Sequence, residues 1–146
     1  AAALAPPVTL PAFRLVDLAG SEFTSDRLEG KIGVIDFWGV WCPSCKKAAP
    51  YFQQLTDKYR LDPEVVILSV DAYDALPQIK KWALEKGLTY PILMDDGYVG
   101  DHADLIEAFP TTWFLNRRGE IVYIQRGSDE NLVEEFSWRI EDLKRR

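Results

Sequence analysis

The chain has 146 residues, 47% hydrophobic and 27% charged, which is the composition of one ordinary globular domain rather than a disordered or collagenous chain. Its formal net charge of −6 works against nucleic acid backbones and anionic lipid surfaces as partners. No apolar run reaches bilayer-spanning length, and two cysteines separated by two residues do not make a disulfide framework.

Residues 1–12 open on Ala1-Ala2-Ala3-Leu4-Ala5-Pro6-Pro7 and read as a flexible leader before a domain over residues 13–146. Small residues there suit a signal-removal site as well as they suit a plain leader. Phe13–Leu18 and Ser21–Thr24 alternate as a hairpin with Gly20 in the turn, and Ser25–Leu28 is a helical turn closed by Gly30. Ile32–Trp38 is almost wholly apolar, as expected of a central strand covered on both faces.

The next segment is a helix over residues 43–59, with Ala48, Ala49, Phe52, Leu55 and Tyr59 recurring at spacings of three and four. Val65–Asp71 is a second buried strand. Leu76–Lys86 is a helix stopped at Gly87, with Ile79, Trp82 and Ala83 on one face. Pro91–Met94 is a short strand, and a weak helical pattern covers Tyr98–Ala108. Thr111–Asn116 and Ile121–Arg126 form a hairpin, and Asp129–Lys144 closes the chain as an amphipathic helix. Strands alternating with helices predict an α/β fold: a central mixed sheet with helices on both faces.

The chemistry concentrates in Trp41-Cys42-Pro43-Ser44-Cys45. A buried strand ends, a loop crosses, and Cys42 falls where the next helix begins. Free N–H groups and the positive end of the helix dipole favour a thiolate there. The thiolate is the nucleophile of disulfide exchange, and Cys45, one turn on, lies within reach to resolve the mixed disulfide. Lys46 and Lys47 follow and add positive potential. A purely structural disulfide would close a four-residue loop worth only about 2 kcal/mol. A metal centre would need further ligands, and Met94 and His102 are isolated in the sequence.

The segment Asp36-Phe37-Trp38-Gly39-Val40-Trp41-Cys42-Pro43-Ser44-Cys45-Lys46-Lys47, with Pro50 following, resembles the active-site segment of the thioredoxin superfamily. Together with the opening hairpin, the extra strand–helix unit around Asp71–Met94 and Phe109-Pro110-Thr111-Thr112, it is most similar to the TlpA/ResA-like thiol–disulfide oxidoreductases, from about Phe13 to the C-terminus. The resemblance implies a thioredoxin-like fold with an N-terminal β-hairpin and an inserted strand–helix unit. It makes Cys42 the attacking and Cys45 the resolving cysteine, and Asp36 the buried acid that exchanges a proton with Cys45. Pro110 becomes the cis-proline, Pro50 the proline inside the active-site helix, and Trp41, Pro43, Phe109 and Pro110 the surface that meets substrate.

The same resemblance implies no cofactor beyond the redox-active Cys42–Cys45 pair. The partners would be a cysteine-containing protein substrate and an upstream thiol electron donor, with no nucleic acid, and the chain would be a monomer that does not itself insert into a membrane. The location would be periplasmic or otherwise extracytoplasmic, with or without a tether outside this sequence.

Three departures stand out. The branch's glutamate three residues after the second cysteine is Ala48, thioredoxin's lysine near the buried acid is Ile67, and the residues before the proline are Ala108 and a bulky Phe109. The expected activity is protein-disulfide reduction, because the Pro43-Ser44 dipeptide brings no histidine to stabilise the Cys42 thiolate. A peroxidase would need Thr or Ser three residues, and Pro seven residues, before its cysteine, where Gly39 and Ile35 stand. A metallochaperone or assembly factor preparing a cysteine-containing metal site in a partner is the alternative. Tight, stoichiometric Cu(I) uptake by the reduced protein would favour it. His102, Trp82 and Trp138 read as structural or surface residues.

Overall fold

Seven consecutive residues from Ile32 to Trp38 are buried, and the strand they form (β4) lies in the middle of the sheet. The computed structural model describes residues 2–146. Its strands are β1 (Val8–Thr9), β2 (Arg14–Asp17), β3 (Glu22–Thr24), β4, β5 (Val65–Asp71), β6 (Ile92–Met94), β7 (Thr111–Leu115) and β8 (Glu120–Arg126), in the order β1-β8-β7-β4-β5-β6-β2-β3. Strands β4, β5 and β6 run parallel and the other pairings are antiparallel, so the sheet is mixed as expected.

Among the described residues the α-helices are α1 (Pro43–Tyr59), α2 (Leu76–Lys86), α3 (Tyr98–Asp101) and α4 (Leu132–Arg145). Alternation along β4 divides the core. Ile32, Val34 and Trp38 join Phe52, Leu55, Ile79, Phe136 and Ile140 of α1, α2 and α4. Ile35 and Phe37 join Leu15, Leu28, Tyr98 and Trp113 on the other face. Asp36 shares its period-two face with Val34 and Trp38, so it points toward the cluster that contains both cysteines. Gly33 is required by packing, since a Cβ there would stand 2.7 Å from Leu115 Cδ1.

The structure departs from the sequence reading in three places. The expected leader is partly sheet: Val8 and Thr9 pair with Ile121 and Glu120, and the Leu4 N–H donates to the Val122 carbonyl at 2.7 Å. Residue 1 lies outside the described residues. Two ladder positions are too short to show as periodicity, so only the edge of β8 could reveal them.

The helix expected over Tyr98–Ala108 ends at Asp101 and gives way to a 3₁₀ turn over Ala103–Leu105. Trp113 Nε1 donates to the Leu105 carbonyl, the Arg126 side chain to that of Ile106, and the Thr111 hydroxyl to those of Ile106 and Ala108. Glu107 sits at φ 66°, in the left-handed region. Side chains from β7 and β8 thus satisfy the carbonyls at the end of this segment, and Glu107 turns the chain out of helical geometry. Finally, α4 starts at Leu132 rather than Asp129, whose carboxylate accepts from the Asn131 N–H in a turn ahead of the helix.

Candidate functional site

Cys42 is the N-cap of α1, and Pro43 occupies the first helical position, where a missing N–H costs nothing. The Cys45 N–H donates to Cys42 Sγ at 3.3 Å, and Ser44 Oγ lies 3.3 Å from the same sulfur. That N–H is one of the free donors at the head of the helix. The third neighbour is the Phe109 carbonyl, 3.7 Å away and accepting from the thiol. The Phe109–Pro110 peptide bond is cis. Cys42 and Cys45 are free thiols here, exposed by 5% and 2%. Cys45 is the deeper, and burial pushes its thiol well above the ordinary range. The Cys42 sulfur and the Asp36 carboxylate act in the same direction, and a backbone hydrogen bond at Gly39 opposes them.

Asp36 is buried between its register partners Ser69 on β5 and Thr112 on β7. Burial pushes its carboxyl up to about 7, while the Thr112 hydroxyl, donating to Oδ1 at 2.9 Å, restrains the rise. Among the described residues no cation is paired with it. Ile67, which stands where thioredoxin's lysine would, is two register positions away on β5 and offers only hydrocarbon. Tyr90 completes the neighbourhood: burial raises its phenol, and the charges of Asp36 and Cys45 push in the same direction.

The approach to Cys42 is aromatic. Trp41 is half exposed, its ring 5.2 Å from Phe109 and 5.9 Å from Tyr73 between centroids, and Tyr73 lies 6.0 Å from Phe109. The Trp41 indole is pinned by Nε1 donating to the Ala72 carbonyl at 2.7 Å. Gly39 makes room for it, since a Cβ there would collide with Trp41 Nε1 and stand 2.8 Å from the Ala72 oxygen. Tyr73 is displayed at φ 72° by a turn in which Asp74 Oδ2 accepts from the Val40 N–H at 2.7 Å. The Asp74 N–H in turn donates to Asp71 Oδ1 at 3.3 Å. Asp71 is buried, and burial together with the neighbouring Asp74 carboxylate pushes it up to about 8.

The structure therefore brings Asp36, Trp41, Cys42, Pro43, Cys45, Phe109 and Pro110 into one region of the molecule. Pro50 lies inside α1, one residue after the buried Ala49. His102 is on the other side of the sheet, its ring 4.6 Å from that of Tyr98. Among the described residues no three His, Cys, Asp or Glu side chains gather where they could hold a metal ion.

Sequence reasoning missed Thr112, Tyr73 and Tyr90. Thr112 stands in a quoted motif, and a hydroxyl beside an apolar strand carrying a buried acid is the signal that could have found it. Tyr73 and Tyr90 carry no such signal, because a loop position and a register partner bring them in.

Comparison with known proteins places this geometry. The model of the AhpC/TSA family matches residues 5–124. The thiol-disulfide oxidoreductase ResA of Halalkalibacterium halodurans is 35% identical over 125 residues, covering 85% of this chain and 70% of that protein. StoA from Bacillus subtilis superposes with a TM-score of 0.75 at 26% identity, over 91% of this chain and 98% of that one. A thiol:disulfide interchange protein of the thioredoxin family from Chlorobium tepidum shares the fold, with a TM-score of 0.81 at 22% identity, over 94% and 96% of the two chains.

Proposed function

Because the chain belongs to the AhpC/TSA family and is a ResA-like thiol–disulfide oxidoreductase, we propose that it runs as a reductase of disulfides in partner proteins. The observation that carries the direction is the setting of Cys42 Sγ. It is capped by one backbone N–H and touched by the neutral Ser44 hydroxyl, with no imidazole or guanidinium bonded to it among the described residues. Potentials on related scaffolds run from about −270 to −120 mV, and the oxidising end is reached by stabilising the reduced form. A cap without a cation leaves the pair toward the reducing end.

The geometry supports the following cycle. The Cys42 thiolate attacks one sulfur of the partner's disulfide, forming a mixed disulfide, and the partner's other sulfur leaves as a thiolate that takes up a proton. Cys45 gives its proton to Asp36 and attacks Cys42 Sγ. The Cys42–Cys45 bond forms as the mixed disulfide breaks and the second partner thiol departs. The partner gains two electrons, and the cysteine pair loses two. An upstream thiol donor then returns the pair to the dithiol, and the cycle uses no other cofactor. Phe109 and cis-Pro110 offer backbone beside the reacting sulfur, and Trp41 and Pro43 flank it.

Similarity to ResA supports a place of work outside the cytoplasm, where protein disulfides persist. No helix is long and apolar enough to cross a membrane among the described residues, and the working form is a monomer. The test is a redox titration against glutathione or dithiothreitol, with insulin-type disulfide reduction measured alongside. A potential nearer −270 than −120 mV, with turnover driven by a thiol donor, is expected. A potential at the oxidising end would overturn the direction.

A further inference from the structure

Beside Pro43 a groove of about 610 Å³ opens between α1 and α2. Pro50, Trp82 and Leu88 give it an apolar floor, and Lys46, Lys47 and Lys86 stand around it with no carboxylate among the lining residues. That is an unusual balance in a chain with 23 acidic and 17 basic residues. None of the three lysines takes part in an ion pair among the described residues. Lys46 and Lys47 also stand in the first turns of α1, where the helix dipole disfavours cations. Lys86 is held over the Trp82 ring, 5.9 Å from its centroid.

The far end is closed by Gln53, which donates to Thr89 Oγ1 at 2.6 Å and accepts from the Thr89 N–H at 2.8 Å. From Pro43 to Gln53 the helical rise gives a length of about 15 Å. That length seats about four or five extended residues. On the other side of α1 a smaller groove of about 330 Å³ carries Asp129 and Glu130 against Lys47 alone. The two approaches to the cysteine pair therefore differ in charge.

We infer that the α1–α2 groove seats a short acidic segment of the protein whose disulfide is exchanged at Cys42, with an apolar side chain on Trp82 and Leu88 and carboxylates on Lys46, Lys47 and Lys86. The inference rests on the reading of the chain as a protein-disulfide reductase and names the substrate class it prefers. Solvent-exposed charges at the groove rim act over about 10 Å at 0.1 M salt, so they bias encounter with one partner sign over the other.

The test compares two disulfide-linked homodimeric heptapeptides with a central cysteine, flanked on each side by leucine and then by two glutamates or two lysines. The intact protein should reduce the glutamate peptide with a kcat/KM about tenfold above the lysine peptide at 20 mM salt, and the ratio should approach one at 0.5 M. Lys86→Glu should cut that ratio about fivefold, and Lys86→Gln by about half as much on a logarithmic scale. Both variants should reduce the small neutral 2-hydroxyethyl disulfide at the native rate. Equal rates on the two peptides, or a preference unmoved by Lys86→Glu, would overturn the inference while leaving the reductase reading intact. If the native protein reduced neither peptide nor 2-hydroxyethyl disulfide, the reductase reading itself would fail and this inference with it.

Discussion

Replacing Asp36 with Asn tests the buried acid most directly. The amide has the carboxyl's shape, and its oxygen can still accept from Thr112, so packing is kept and only the ionisation is removed. Burial raises the native carboxyl from 3.8 to about 7, and the folded state therefore holds a proton that the unfolded chain has released between those two values. Stability from this group is complete below pH 3.8, falls as pH rises, and is lost above 7. The shift corresponds to at most about 4 kcal/mol, less whatever local relaxation and water entry recover.

Guanidinium unfolding of the reduced protein, followed by far-ultraviolet circular dichroism from pH 5 to 9, measures the difference between native and Asp36→Asn chains. Other titrating groups are common to both and cancel. The variant should gain on the native protein by at most about 3 kcal/mol between pH 5 and 9, nearly all of it below pH 7, with unchanged m-values. The same substitution should slow closure of the Cys42–Cys45 disulfide by about 10²-fold at neutral pH, the ordinary scale of general-base catalysis, and leave the first attack alone. Stability curves that stay parallel to within about 0.5 kcal/mol, the scale of an indifferent substitution, would refute the assignment of a buried, proton-holding carboxyl.

Cys42→Ser should abolish turnover, and Cys45→Ser should accumulate a mixed disulfide through Cys42 that mass spectrometry detects; undiminished insulin reduction by Cys42→Ser would contradict the mechanism. Thr112→Val removes the hydroxyl that restrains Asp36, so the midpoint of the pH-dependent stability loss should move to higher pH, at a cost of about 1 kcal/mol where the carboxylate is ionised. Asp71 is raised from 3.8 to about 8 by burial and by Asp74, so its contribution to stability is complete below pH 3.8, falls as pH rises and is lost above about 8. Asp71→Asn should therefore gain on the native chain progressively between pH 3.8 and 8 and run parallel to it above pH 8. Gly33→Ala drives a methyl into Leu115 and should lower stability by about 1–3 kcal/mol in the same unfolding assay.

Much of the site was legible from local pattern. The run Ile32–Trp38 reads as a covered strand because six apolar or small residues with one acid form a near-continuous apolar run of strand length. Periodicity marks α1, and Cys42-Pro43 at its start places a sulfur at the helix N-terminus by backbone geometry alone. Where tertiary contacts compete for the backbone, the local pattern fails. Residues 98–108 carry a weak helical signal, yet Trp113, Thr111 and Arg126 claim their carbonyls from strands that follow in sequence.

The cysteine pair, its place at the head of a helix and the alternating strands and helices belong to the sequence by itself, because spacing and periodicity are properties of neighbours along the chain. Sheet register decided the rest. It set Thr112 beside Asp36 across 76 residues, joined residues 8–9 to β8, and laid α2 beside α1 to form the lysine-rimmed groove. Those juxtapositions arise from how strands pair and helices pack, and no window of consecutive residues contains them.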